Sequence, residues 1–346
     1  MNTLVIASLR NSAGKTSFIV GLIEAMEEKT GYMKPFGDRL LYKKKRLWDY
    51  DAALIANLYN IKESPEKMSI GFDHSKLRYM YNEETIKAKI KELAQHFGSD
   101  KDILIVEGGK AIPYGKSVHL DSLSLARCLE SRLIFVTSGD DDTILDDIMF
   151  IVKNVDLTGI NLAGIIINKV QNVEDFRDTC LPDIKKLGVK VLGIIPHQID
   201  LTYFSLKYLS DKLFAKVLTA ENNLGRTIKN IFIGAMSGNT AMQKPLFKKE
   251  DKLIITAGDR TDMILAAIES NSAGIILTNN ILPQSNIIAK VEESGTPMLL
   301  VTTDTYQTQR QIEQMEPLLT KENREKAELL KNLVKEHVEI EAINKF

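Results

Sequence analysis

Five runs in this chain are apolar at nearly every position: TLVIAS (3–8), DILIVE (102–107), RLIFVTS (132–138), AGIIIN (163–168) and VKVLGIIP (189–196). A strand with one wet face alternates apolar and polar residues. A strand covered on both faces does not, so continuous β-branched runs of this kind fit a parallel sheet lying between two layers of helices. GYMKPFG (31–37) reads as a shorter strand of the same set. Between the runs lie stretches with helical apolar spacing, such as SFIVGLIEAMEE and EETIKAKIKELAQHF. The alternation predicts an α/β fold with a doubly wound, mainly parallel sheet.

Beyond SDKLFAKVLTAENNLGRT the pattern restarts on a smaller scale. NIFIGAM (230–236), KLIITAG (252–258), AGIILTN (273–279) and PMLLVTT (297–303) are four more candidate strands, with DMILAAIES and NIIAKVEESG as helices between them. The expected division is a first domain over 1–215, a smaller α/β domain over 229–315 and a C-terminal helical tail over 316–346. The tail carries a stripe of Leu329, Leu330, Leu333, Val334 and Val338 at helical spacing, suited to packing on its own domain or to a dimer contact.

The bulk numbers narrow the function classes. Lys plus Arg number 45 against 46 Asp plus Glu, a formal charge of −1, so no global field attracts nucleic acid or an anionic membrane. No apolar stretch approaches the roughly 20 residues needed to span a bilayer, and the opening MNTLVIASLR lacks the basic region of a signal peptide. Cys128 and Cys180 read as small core residues of a cytoplasmic protein. The five histidines are scattered without ligand spacing, which argues against zinc.

Chemistry concentrates behind the first run, in RNSAGKTS. The usual phosphate loop is G-x-x-x-x-G-K-[ST], and its first glycine would fall at Leu9, so that match is half complete. The core of the motif is intact. Gly14 lets the backbone approach phosphate oxygens, Lys15 supplies positive charge and Thr16 opens a helix with a hydroxyl suited to Mg²⁺. The N–H groups at the start of that helix point at an anion. Glu107, at the end of a buried strand, is placed to meet Mg²⁺ or its water. Asp49 and Asp51 precede a helix in LWDYDAALIANL and also suit capping. The KKKR run at 43–46 reads as a solvated face or as a contact for an anionic substrate.

RNSAGKT aligns with K-G-G-x-G-K-T, the loop of the deviant P-loop group that includes dethiobiotin synthetase, the cobyrinate diamide synthetases and the partition ATPases. Arg10 stands at the position of that group's signature lysine. The chain resembles dethiobiotin synthetase over residues 1 to about 215. The resemblance implies ATP and Mg²⁺ as cofactors and a homo-oligomer. It implies that Lys34 in GYMKPFG faces the substrate, that Asp51 before Ala52 helps bind metal, and that Glu107 in EGGKAIPYG is the second acid. Asn168 in INKV then contacts the nucleotide base, and Pro196 in LGIIPHQ touches the base region. A side-chain amide suits that task because it offers a donor and an acceptor together. The expected nucleotide contacts are Arg10, Asn11, Ser12, Ala13, Gly14, Lys15, Thr16, Ser17, Asn168 and Pro196. The expected metal ligands are Thr16, Asp51 and Glu107, and the expected catalytic residues Lys15, Lys34 and Glu107. Arg10 and the basic insert DRLLYKKKRLWDY depart from the synthetase, and biotin synthesis is not expected.

NIFIGAMSGNTAM and ITAGDRTDMILAAI resemble the DRTGG domain, with Asp262 and Met263 in place of the two glycines. Such a pair of domains occurs at the N-terminus of long phosphotransacetylases and in free-standing proteins. Arg260 is suited to grip a carboxylate or phosphate, and Asp259 or Thr261 to cap a helix. The chain ends after the pair, so phosphotransacetylase activity is expected to be absent. The expected function is a Mg²⁺-dependent ATPase or ATP-using ligase. The alternatives are a nucleotide-sensing module acting on a partner enzyme and a structural homodimer with a degenerate loop.

Overall fold

Leu4, Val5, Ile6 and Ala7 have no exposed surface, the condition that continuous apolar runs predict. The computed structural model describes residues 2–43, 46–320 and 324–344; Lys44 and Lys45 of the KKKR run lie outside them. The described residues form two compact units, one up to Gln198 and again from Leu319, the other Ile199–Leu318.

In chain order the first unit contains β1 (Asn2–Ser8), α1 (Lys15–Ala25), β2 (Thr30–Met33), β3 (Leu40–Lys43), β4 (Arg46–Asp49), α2 (Tyr50–Leu58), α3 (His74–Met80) and α4 (Glu83–Gly98). It continues with β5 (Ile103–Glu107), α5 (Ser122–Cys128), β6 (Arg132–Thr137), α6 (Asp141–Asn154), β7 (Asn161–Val170), α7 (Val173–Thr179), α8 (Leu181–Lys186) and β8 (Val191–Pro196). Six strands make one sheet in the order β2-β5-β1-β6-β7-β8. Every pairing in it is parallel. The order reverses about β1, so the loop leaving β1 opens into the crevice at the carboxyl ends of the strands, where open α/β sheets bind ligands. β3 and β4 form a separate antiparallel hairpin inside the basic insert, with Leu40 paired to Asp49 and Lys43 to Arg46.

The second unit contains β9 (Phe204–Ser205), α9 (Leu206–Lys212), β10 (Lys216–Thr219), β11 (Thr227–Ile228), β12 (Asn230–Ile233), α10 (Gly238–Met242), β13 (Lys252–Ala257), α11 (Thr261–Glu269), β14 (Gly274–Thr278), α12 (Ser285–Glu293), β15 (Met298–Leu300) and α13 (Thr305–Glu313). Its sheet runs β10-β15-β14-β13-β12, with β10 antiparallel to β15. Alternate residues of one strand enter different cores. Leu253 and Ile255 pack with Ile276 and Leu299 on one face, and Ile254 packs with Ile275, Leu277 and Met298 on the other.

The chain then returns to the first unit as α14 (Arg324–His337) and α15 (Ile340–Asn344). Residues 316–346, read from the sequence as a segment of their own, thus pack their helical part on α1 and β8. The contact is close because Gly21 of α1 has no side chain: a Cβ there would stand 2.6 Å from the Leu330 carbonyl oxygen and 2.7 Å from Val334 Cγ2. Arg132 of β6 donates to the Ile343 and Ala342 carbonyls at 2.6 and 2.9 Å, closing the end of α15. Cys180 is buried as expected, whereas Cys128 is half-exposed, and both are free thiols.

Gly21→Ala drives a methyl group into a backbone carbonyl that cannot step aside, and overpacking of this kind costs about 1–3 kcal/mol. Urea unfolding should show a lower midpoint with an unchanged slope; an unchanged midpoint would mean that α14 does not seat there.

Candidate phosphate-loop site

The loop between β1 and α1 is bent by two left-handed residues, Ser12 at φ 61° and Gly14 at φ 86°. Helices α2 to α7 are each capped by an Asp or Asn side chain: Asp49, Asp73, Asn82, Asp121, Asp140 and Asn172. Helix α1 has no side-chain cap and no acid in its first turn. Its leading N–H groups therefore keep the positive end of the helix dipole open to an anion.

Lys15 and Thr16, both buried, meet Glu107 at the end of β5. Lys15 Nζ lies 2.8 Å from Glu107 Oε1, and Thr16 Oγ1 donates to the same oxygen at 2.8 Å. Tyr32 Oη donates to Glu107 Oε2 at 2.7 Å. Burial, reinforced by the charge of Glu107, pushes the Tyr32 phenol well above its ordinary range, so it stays a donor. Glu107 is fully buried and would be costly there without these three partners.

A second cluster surrounds Lys34, which has no exposed surface. Its ammonium lies 2.6 Å from Asp38 Oδ1, 2.6 Å from Asp51 Oδ2 and 3.2 Å from Asp49 Oδ1. Burial alone would lower the Lys34 pKa. The charges of Asp51, Glu107, Asp49 and Asp38 outweigh it and hold the ammonium well above its usual value. Asp51 is held down to about 2: burial opposes ionisation, but Lys34, Arg39 and Lys15 overcome it. Arg39 approaches Asp51 at 3.3 Å. Burial pushes the Asp49 carboxyl up, against the pull of Lys34. Asp49 is committed to backbone: it accepts from Asp51 and Ala52 at the start of α2, and from Asp38 and Arg39 at 2.9 and 3.1 Å. It is a cap, one of the two uses its position suggested.

The remaining expected residues fall as follows. Arg10 turns its guanidinium onto Asp147 of α6 in a two-pronged pair, which raises its pKa. Asn11 is exposed, Ala13 is buried and Ser17 is half-buried in the first turn of α1. Asn168 lies beside the loop, its Nδ2 donating to the Ala13 carbonyl at 2.9 Å. Pro196 ends β8 opposite Val170. Sequence reasoning passed over Tyr32, Asp38, Asp147 and Lys169. Asp38 was readable as the acid four residues after Lys34, and Tyr32 and Lys169 lie inside GYMKPFG and INKV themselves. Nothing in the sequence pairs Asp147 with Arg10.

In the second unit Arg260 donates to the Met236 and Gly234 carbonyls at 2.6 and 3.3 Å and pairs with Asp262 at 3.0 Å. The Asp262 carboxylate accepts from the Gly238 N–H at 2.8 Å, and the Arg260 bond above all lowers its pKa to about 2. Neither Asp259 nor Thr261 caps α11, which has no side-chain cap.

An open helix start behind a glycine-bent loop, on a doubly wound parallel sheet, sets the chain in the class of P-loop proteins, here joined to a DRTGG domain. Residues 2–204 match the family model described as AAA domain, more than half of the sequence, and the chain belongs to that family. Residues 209–315 match the DRTGG domain. The phosphate acetyltransferase of Pseudomonas aeruginosa is 26% identical over 368 residues, covering 99% of this chain and 51% of that protein. That of Pseudomonas putida is 26% identical over 360 residues, covering 98% and 51%. Among solved structures, the MinC:MinD cell division protein complex of Aquifex aeolicus aligns with a TM-score of 0.38 at 16% identity, covering 58% of this chain and 84% of that one. The chain spans about half the length of the curated relatives it matches.

These relatives correct one expectation. Phosphotransacetylase activity was expected to be absent, with a free-standing ATP hydrolase or ligase in its place. Eight proteins named phosphate acetyltransferase are 21–26% identical over 89–100% of this chain, and that likeness overturns the exclusion. Among the described residues no helix is long and apolar enough to cross a membrane.

Lys34→Met would leave Asp38, Asp49 and Asp51 facing one another, their oxygens within 4.8 Å. Uncompensated buried charge costs about 3–5 kcal/mol, so the variant should melt well below the wild type, and millimolar Mg²⁺ or Ca²⁺ should restore part of the loss. The Asp51 contribution to wild-type stability is complete above the ordinary carboxyl value of about 4 and fades as pH falls toward about 2. The gap between wild type and variant should therefore narrow across that window. Equal melting at neutral pH would dissolve the cluster.

Proposed function

We propose that the chain is the nucleotide-sensing part of a phosphotransacetylase, binding MgATP in the loop between β1 and α1 and passing the state of that site to acetyl transfer. The observation that carries this reading is the start of α1: uncapped, free of acids in its first turn, and flanked by Lys15 and Thr16 on a buried strand-end acid. A loop of this shape accepts a polyphosphate tail through backbone N–H groups, with Lys15 against its terminal charge.

Charge balance argues for the metal. Lys15, Lys34 and Arg39 face Glu107, Asp38, Asp49 and Asp51, three cations against four acids. A polyphosphate adds further negative charge, which a divalent cation would offset. The donors present fit Mg²⁺, a hard cation that takes carboxylate and hydroxyl oxygens. Thr16 Oγ1 and Glu107 Oε1 already converge, and these two would hold it, with Asp51, which feels the charge of Lys15, as a further acid. Bound there, the ion would neutralise phosphate charge.

Calorimetric titration should give MgATP binding in the micromolar range, weakened at least tenfold by EDTA and abolished by Lys15→Ala. Formation of acetyl phosphate from acetyl-CoA by the acetyltransferase of which this chain forms part should change severalfold with MgATP, and Lys15→Ala should remove the response. Wild-type protein that ignores millimolar MgATP would defeat the reading.

A further inference from the structure

The resemblance assigned Asn168 to the nucleotide base, but the structure gives its amide other work. β7 runs ten residues, to Val170. Its pairing with β8 slips near the end: Ile167 faces Ile194 while Val170 faces Pro196, so β7 carries one residue more than its partner. Lys169 takes up the excess at φ 61°, a left-handed bend uncommon for a side-chain-bearing residue. Bulges of this kind re-aim side chains, and here two consecutive ones turn toward the phosphate loop. Asn168 Nδ2 donates to the Ala13 carbonyl at 2.9 Å, and Lys169 Nζ donates to the Ser12 carbonyl at 2.8 Å. Asn168 Oδ1 accepts from the Lys169 N–H at 3.0 Å, which ties the two residues together.

We propose that Asn168 and Lys169 are positioning residues that clip the phosphate loop in its anion-binding shape. The argument is the planarity of the peptide. In a trans peptide the carbonyl and the following N–H point in opposite directions. Drawing the Ser12 and Ala13 carbonyls onto β7 turns the N–H groups of Ala13 and Gly14 away from it. Released, either peptide could rotate and present a carbonyl oxygen to a phosphate. Gly14 has a second reason to be glycine beyond its φ: a Cβ there would lie 2.3 Å from Asn168 Nδ2 and would dislodge the clip. Asn168 is 8% exposed, and one amide N–H and one lone pair of its oxygen are already engaged by the loop and by Lys169, so losing its side chain should be felt first in the loop.

The inference rests on the nucleotide-binding reading above, and one set of titrations separates the two. Wild type, Asn168→Ala, Lys169→Ala and Lys169→Arg are titrated with inorganic tripolyphosphate, ATP and GTP, each with Mg²⁺. A clip acts on the phosphate tail that all three share. Each alanine variant should lose affinity by a common factor for all three, about five- to tenfold for one lost hydrogen bond, with the ATP-to-GTP ratio unchanged. Lys169→Arg should recover part of the loss. Lys169 lies outside the core, so its variants keep the test open if Asn168→Ala fails to fold. Tripolyphosphate affinity that survives Asn168→Ala while the ATP-to-GTP ratio shifts would make Asn168 a base reader and overturn the proposal, as would variants that bind all three like wild type. A wild type that binds none of the three would defeat both readings.

Discussion

Glu107 is a carboxylate at the end of a central strand with no exposed surface. Water cannot solvate it, so the elements around it must. Lys15 and Thr16 come from the helix after β1 and Tyr32 from the strand on the other side of β5. Three segments distant in sequence are thereby held at one point, and the start of α1 is anchored relative to the sheet. Removing any partner would leave part of a buried charge unpaired, a heavier penalty than the bond itself is worth. The arrangement also sets a competition. Lys15 serves Glu107 now, and any phosphate that takes it must leave Glu107 with another counter-charge.

Lys34 shows the same rule in a tighter form. Its ammonium sits where three carboxylates converge, in a position that a small cation could otherwise hold. The expected roles, Lys34 toward the substrate and Asp51 toward metal, treated the two as separate tools. In the structure they are each other's nearest partner, together with Asp38. One of the three acids, Asp49, spends its oxygens on backbone N–H groups, which fixes the turn from the β3–β4 hairpin into α2. The cluster is thus partly scaffold, and the charge facing the loop depends on all its members.

The parallel sheet was legible because burial on both faces removes the polar alternation: β1, β5, β6, β7 and β8 all announce themselves as apolar runs. The β3–β4 hairpin was not, since Leu40 and Tyr42 are exposed and the strands flank a lysine run that hides any period. β10 was passed over because it is short and pairs antiparallel at the sheet edge, where one half-buried face is enough. At the site, Lys15, Thr16 and Glu107 could be read because their geometry follows from local spacing and strand ends. Arg10 on Asp147, Tyr32 on Glu107 and Lys169 on Ser12 could not, because each bond joins elements that only the folded sheet brings together.

The phosphate loop is fixed from both ends. Before it, β1 lies between β5 and β6, and the Leu9 N–H continues the ladder by donating to the Val136 carbonyl at 3.0 Å. Behind it, α1 is buried at every position but Ser17 from Lys15 to Leu22 and is met by α14, whose backbone reaches Gly21. A helix held this closely cannot shift at its first turn without disturbing the packing at Gly21, because packed interiors deform little. The loop is therefore preorganised, which lowers the ordering cost of taking up an anion.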